Sequence, residues 1–394
     1  MKIYPRHLTK SLLKEIQLSS IVVLTGMRQV GKTTLMRLVY ENIKSTNKIF
    51  LDLENPLNQK IFEEKNYDNV IANLEAYGLH TNVKMFLFLD EVQYMPGIVK
   101  PLKYLYDHYH IKFFLTGSSS FYLKNLFPES LAGRKVIYEL FPLDFQEYMW
   151  FKEKEKIVLE DFNKKDKAKN AVGFELFKKH YSDYMTFGGF PAVVLERDQL
   201  RKKQILEDIF KSYFEKDVKT LTDFREINRL RDLILLLANR VGSKIDISKI
   251  SSELGAARET VYGYLNFLEK TYFLFLLAPF SRSINGEVRG AKKVYFCDTG
   301  LLNFLAKIPD GILFENSVFL NLHKCGSLNY FARYKGPEID FILNKKIAFE
   351  TKTKANITDL NRLERVSKSL RLKAYYLVVN KFTDLRKTIL AQDL

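Results

Sequence analysis

Two groups of residues in this 394-residue chain have the types and spacing of phosphoryl chemistry. The first is Gly26-Met-Arg-Gln-Val-Gly31-Lys32-Thr33, a glycine-rich loop closed by lysine and threonine. Glycines let backbone N–H groups wrap anionic phosphates, the lysine reaches the β- and γ-phosphates, and the threonine hydroxyl takes one position on Mg²⁺. The apolar run Ile21-Val-Val-Leu24 feeds the loop and Thr34-Leu-Met-Arg-Leu38 leads out of it. That is strand, loop and helix, with the positive end of the helix aimed at the same charge. Gly26, Arg28, Gly31, Lys32, Thr33 and Thr34 are therefore the expected nucleotide contacts.

A second strand, Met85-Phe-Leu-Phe-Leu89, ends in Asp90-Glu91. Apolar residues on both faces suit a central parallel strand. Asp90 at its end is expected to hold Mg²⁺, and Glu91 to polarise the water that attacks the γ-phosphate. A third apolar strand, Ile111-Lys-Phe-Phe-Leu115, runs into Thr116-Gly-Ser118-Ser119-Ser120. ATPases with a catalytic glutamate insert such a strand between the other two, and Ser118 or Ser119 is placed to sense the γ-phosphate. Arg134, just beyond, is an expected charge-stabiliser at that phosphate, in its own subunit or a neighbour's. Asn163-Lys-Lys-Asp166 matches a guanine-specificity pattern but sits in the charged run 160–169 with no strand before it. ATP rather than GTP is the expected nucleotide.

The other group lies near the end of the chain. Asp340 falls in Glu338-Ile-Asp-Phe-Ile-Leu343, and Glu350-Thr-Lys352 closes the next apolar run. Strand alternation puts Glu350 and Lys352 on one face. Asp340 on the adjacent strand can then share a metal with Glu350, and two carboxylates with a lysine suit Mg²⁺-assisted phosphodiester cleavage.

These groups need a scaffold. At 394 residues and 46% apolar composition, several cored domains are expected. Residues 1–142 alternate strand and helix, giving an α/β P-loop domain with a parallel sheet. Residues 143–225 read as a charged helical lid broken by Phe187-Gly-Gly-Phe-Pro191, a turn whose Pro191 is expected to press on the bound base, or simply to join helices. Residues 226–300 read as a winged helix, with Arg282, Arg289, Lys292 and Lys293 making a basic wing suited to phosphate contacts. Residues 301–394 read as a C-terminal α/β unit. A formal charge of +16 and pI near 9.4 favour an acidic partner, most simply DNA. Two cysteines, Cys297 and Cys325, give no disulfide framework or cysteine-based zinc site. No apolar run is long enough to span a bilayer and no signal-peptide core opens the sequence, so a cytoplasmic chain is expected.

Asp340, Glu350-Thr-Lys352 and the helical Glu315 resemble the PD-(D/E)XK nuclease signature in its αβββαβ, restriction-endonuclease-like order. The resemblance implies that Glu315 joins Asp340 and Glu350 as a metal ligand. The whole chain resembles a prokaryotic, mainly archaeal, family of AAA/STAND-like ATPases that join a P-loop domain to a winged helix and a PD-(D/E)XK-like domain. Its matching stretches run from Gly26 to Lys352 and include Leu-Asp-Glu-Val-Gln, Leu-Ala-Gly-Arg, Phe-Gly-Gly-Phe-Pro and Phe-Glu-Asn. It implies ATP and Mg²⁺ binding at Lys32, Thr33 and Asp90, hydrolysis assisted by Glu91, and a base contact from Pro191. Two functions are expected of such a chain: an ATPase acting on DNA with a metal-dependent nuclease domain, or a nucleotide switch whose other domains are interaction modules. Homo-oligomers are compatible with either.

Overall fold

The structure is a computed structural model, and it describes residues 4–117, 133–156, 159–218, 227–281, 283–333 and 336–394. Contacts divide the chain into two compact units. One comprises Met1–Phe141 with Tyr213–Thr222 and Lys270–Tyr272, and the other Pro142–Ser212, Asp223–Glu269 and Phe273–Leu394.

The first unit is built on β1 (Ile21–Thr25), β2 (Lys48–Asp52), β3 (Met85–Asp90), β4 (Ile111–Gly117) and β5 (Lys135–Glu139). They form one sheet in the order β2-β3-β4-β1-β5, and every pairing is parallel. The three central strands are buried along their whole length, which explains their unbroken apolar runs. Leu74, Leu102 and Leu105, from flanking helices, pack with Leu87, Phe113 and Leu115 in one core. β4 lies between β1 and β3, as the order of the three motifs led us to expect. Parallel strands bring their carboxyl ends to one edge, so the residues after β1, β3 and β4 meet there.

The second unit contains a mixed sheet of β8 (Leu328–Ala332), β9 (Glu338–Leu343), β10 (Ile347–Lys352), β11 (Ala374–Val379) and β12 (Thr388–Leu390), in the order β12-β11-β10-β9-β8. β9 is antiparallel to β8 and β10, while β11 runs parallel to β10 and β12. With helices Asp310–His323 before β8 and Ile357–Ser369 before β11, the element order is αβββαβ plus one strand. Leu360, Leu363 and Val366 of the second helix pack on Ile342, Ala348 and Leu377.

Upstream, helices Ile227–Ala238, Ile247–Leu254 and Arg258–Lys270 precede an antiparallel pair, β6 (Leu274–Leu277) and β7 (Lys293–Phe296). Asp246 caps one helix by accepting from Lys249 N at 3.0 Å, and Gly255 ends it at φ 57°. The basic wing needs correction. The β6–β7 connection folds into a helix, Ile284–Arg289, started by the Ser283 hydroxyl accepting from Gly286 N at 3.2 Å. Lys293 is buried in β7 and ion-paired with Glu338, so it is not offered to a ligand. Arg289 is exposed, Lys292 half-buried, and Arg282 lies outside the described residues. Asn163-Lys-Lys-Asp166 lies in helix Phe162–Ala168, where Asp166 pairs with Lys169 at 2.8 Å and accepts from Lys387 N at 3.0 Å. That packing role accounts for the acid without any nucleotide.

Candidate functional site

The phosphate loop turns between β1 and helix Lys32–Asn42. Gly26 has φ 151°, and a Cβ there would lie 2.1 Å from the Leu140 carbonyl, so only glycine fits. Gly31, at φ 96°, begins the helix in a left-handed conformation. Arg6 pins the surroundings, donating to the Val30 carbonyl at 2.9 Å and the Phe141 carbonyl at 2.7 Å. The Lys32 ammonium is buried and donates to the carbonyls of Gly26 and Met27, each at 3.0 Å. Burial lowers its pKa, against the opposing pull of Glu91, Asp217 and Asp90. Thr33 follows it on the half-buried side of the helix start and Thr34 is exposed.

Asp90 is buried beside this loop and takes hydrogen bonds from the Thr116 and Thr33 hydroxyls. Burial raises its pKa, and the two hydroxyls resist the shift. Glu91 is held at φ 54° and ψ 47°, a left-handed conformation that non-glycine residues rarely adopt and that often marks a working site. Its N–H donates to Thr116 Oγ1 at 3.1 Å, and its carboxylate accepts from the Gln93 amide. One carboxylate flanked by two hydroxyls is a hard-oxygen set of the kind Mg²⁺ takes. Arg28, mostly buried, lies 2.9 Å from Asp217, 3.3 Å from the Tyr94 hydroxyl and 4.0 Å from Glu91. Burial works against its charge, but Asp217 and Glu91 outweigh burial and raise its pKa.

Arg134 is not brought into this group. Ser118 lies outside the described residues. Arg134 stands before β5, where Ile21 pairs with Lys135, while the loop follows Thr25 at the other end of the same pairing. At about 3.3 Å per residue the sheet separates them by roughly 16 Å. Arg134 instead pairs with Asp107 at 3.0 Å. A role for Arg134 at its own subunit's phosphates is therefore corrected. Pro191 belongs to the second unit, as the first residue of helix Pro191–Leu195. The glycines before it have a local cause: Cβ atoms at Gly188 and Gly189 would come within 2.0 Å of the Asp298 carboxylate and 2.1 Å of the Leu143 carbonyl. Asp298 accepts from Gly189 N at 2.6 Å and Leu301 N at 2.8 Å.

Sequence reading missed Thr116, Tyr94 and Asp217. Thr116 left a signal, a polar residue ending an apolar strand. Asp217 left none, because only tertiary folding brings it to the loop.

In the second unit, Glu315, Asp340, Glu350 and Lys352 fall together. Asp340 and Glu350 continue the β9–β10 register one step past Phe341↔Phe349. Glu350 is buried, with Oε1 facing Lys352 at 2.9 Å and also paired with Arg362, while its buried Oε2 has no hydrogen-bond partner. Asp340 Oδ2 accepts from the Thr351 N–H and hydroxyl, both at 2.7 Å. Glu315 accepts from the Tyr295 hydroxyl at 2.7 Å and is pushed up to about 7 by burial and then by Asp340. Burial likewise raises Glu350, opposed by Lys352. An unsatisfied buried carboxylate oxygen among acids that repel one another fits a cation. The three carboxylates do not converge within 4.8 Å of one another, and Arg362 holds the oxygen that faces Lys352. Asn316, next to Glu315, is structural: its amide pairs with both Phe296 N and Phe296 O, at 2.8 and 3.1 Å.

Residues 18–149 match the family model described as an AAA domain. Loop, acidic strand, intervening strand and this match give the first unit the fold of a P-loop, AAA-like domain. Residues 178–311 match a domain of unknown function, DUF8612. The chain is 29% identical over 387 residues to the uncharacterized protein MJ1544 of Methanocaldococcus jannaschii, covering 93% of this chain and 83% of that one. An uncharacterized protein of Haemophilus influenzae is 26% identical over 387 residues, covering 90% of each. Among solved structures, the Walker-type ATPase paby2304 of Pyrococcus abyssi superposes with a TM-score of 0.49 at 16% identity, over 78% of this chain and 96% of that one. No helix among the described residues is long and apolar enough to cross a membrane.

Proposed function

We propose that this chain is an Mg²⁺-dependent ATPase acting on DNA through a metal-dependent nuclease-like C-terminal domain. The observation that carries the ATPase half is the meeting of Lys32, Asp90, Glu91 and Thr116 at one edge of the parallel sheet. Lys32 exchanges the carbonyls of its own loop for the β- and γ-phosphates. Thr33 and Asp90 are the residues that would hold Mg²⁺, whose chemistry is to neutralise charge on the phosphate oxygens. Glu91 orients the attacking water, with Thr116 fixing its backbone and Gln93 its carboxylate. The order P-loop core 1–142, lid 143–225, winged helix 226–300 and nuclease-like domain 301–394 belongs to the same proposal, as does contact of Pro191 with the base. Arg134 acts on phosphate only if supplied by a second copy of the chain.

The DNA half rests on Asp340, Glu350 and Lys352 of one mixed sheet, with Glu315 of the preceding helix near Asp340, in a chain of net charge +16. Glu315, Asp340 and Glu350 would hold the metal, and Lys352 would steady the developing charge on phosphate. The exposed Arg258, Glu259 and Tyr262 on helix Arg258–Lys270 offer one cation only, so phosphate contact rather than base reading is the expected mode. One observation favours the second reading, a nucleotide switch without cleavage: Arg362 already neutralises Glu350.

The experiment that tests the proposal measures Mg²⁺- or Mn²⁺-dependent cleavage of linear, nicked, branched and single-stranded DNA, with and without ATP. Lys352→Ala and Lys32→Ala are run beside the native chain. Cleavage by the native chain that is lost in Lys352→Ala supports the nuclease, and the Lys32→Ala lane reports ATP control. Absence of cleavage on every substrate replaces this reading with the switch.

A further inference from the structure

The ATPase reading leaves one buried acid beside the phosphate loop without a role. Asp217 lies in the π-helical turn Tyr213–Val218 that continues helix Gln199–Ser212, far along the chain, and its carboxylate meets Arg28 Nε at 2.9 Å. Arg28 is the third residue of the loop, and its guanidinium sits 4.0 Å from Glu91, at the end of the site where the terminal phosphate would be attacked. Asp217 also stands with Glu91 and Asp90 among the acids whose field reaches Lys32. The turn is seated on the first unit by the Tyr213 hydroxyl, 2.7 Å from Thr271 Oγ1, and by Lys216, 3.1 Å from Glu54.

Three acids thus face two cations beside the phosphate loop. Asp90 has a metal to hold and Glu91 a water to orient. Asp217 offers Arg28 only what the γ-phosphate would offer it, an anion. A buried guanidinium exchanges one charge-assisted partner for another far more cheaply than it stays unpaired.

We propose that Asp217 is a built-in competitor of the ATP γ-phosphate for Arg28, so that ATP, and not ADP, displaces it and releases the Tyr213–Val218 turn. The proposal rests on the ATPase reading and deepens it. Competition lowers apparent ATP affinity by the fraction of molecules in which Arg28 is occupied. Removing the competitor raises that affinity, and it does so only while Arg28 is present.

Equilibrium binding of a fluorescent ATP analogue and of the matching ADP analogue tests this in the full chain, in native, Asp217→Asn, Arg28→Ala and doubly substituted forms. Asp217→Asn is expected to tighten ATP five- to tenfold and to change ADP less than twofold. In the Arg28→Ala background the same substitution is expected to change neither. Weaker or unchanged ATP binding in Asp217→Asn overturns the proposal, because an acid that merely braced the loop would give that result. Hydrogen exchange on the native chain needs no variant: a non-hydrolysable ATP analogue should speed exchange at 213–218 and ADP should not. Equal or slower exchange with the ATP analogue also overturns it. If the native chain binds neither nucleotide, or Lys32→Ala binds both undiminished, the ATPase reading itself has failed.

Discussion

Thr116 shows how much of this site depends on single hydroxyls. Its side chain donates to Asp90 and accepts from the Glu91 N–H, so one residue of β4 fixes both acids at the end of β3. Thr116→Val keeps the shape and removes both bonds. It is expected to cut ATP turnover about tenfold to a hundredfold while nucleotide affinity changes little, because the lost contacts orient the water-holding acid rather than the phosphates. Steady-state turnover and equilibrium binding separate the two effects. The loop itself was legible in the sequence because its chemistry is local: glycine, lysine and threonine act within a single turn. Asp90 and Glu91 were legible for the same reason. Asp217, Tyr94 and Arg362 were not, since each reaches its partner through folding and carries no spacing that announces it. Ser118 or Ser119 was expected as the sensor of that strand and both lie outside the described residues, while Thr116 contacts the acidic pair.

The elements explain where sequence reading succeeded. β1, β3 and β4 are buried on both faces, so their continuous apolar runs could only be central strands, and their order followed from the motifs they end in. The basic stretch after β6 misled, because a serine cap turned an expected open wing into a helix and β7 buried one of its lysines. The Gly188-Gly189 turn has a mechanical cause in Asp298. Gly188→Ala places a Cβ against that carboxylate at φ 76°, and a loss of about 3 kcal/mol in unfolding free energy is expected by denaturant titration. Burial pushes Asp298 from its ordinary 3.8 up to about 6, against the hydrogen bonds from Gly189 and Leu301. The folded chain then binds more protons than the unfolded chain between those pH values, so this group's contribution to stability falls as pH rises from 3.8 to about 6. The swing is on the order of 2–3 kcal/mol. Asp298→Asn should flatten that part of the stability profile, and an unchanged slope would refute the assignment.

At the scale of the molecule, the two sites proposed for phosphoryl chemistry occupy different compact units of one basic chain. The first has its loop, acids and intervening strand gathered at one sheet edge. The second has its acids and lysine together but Glu350 paired with Arg362, so the ATP site carries the central claim. Asp90 and Glu91 make that claim divisible: one is assigned to the metal and the other to the water. The most direct measurement compares Mg²⁺-ATP affinity and turnover in the native chain and in Glu91→Gln. ATP should bind both forms within about threefold, turnover should fall a hundredfold or more in Glu91→Gln, and chelating Mg²⁺ should abolish turnover in the native chain. Undiminished turnover in Glu91→Gln, or a native chain that hydrolyses ATP equally well without a divalent cation, would contradict the account.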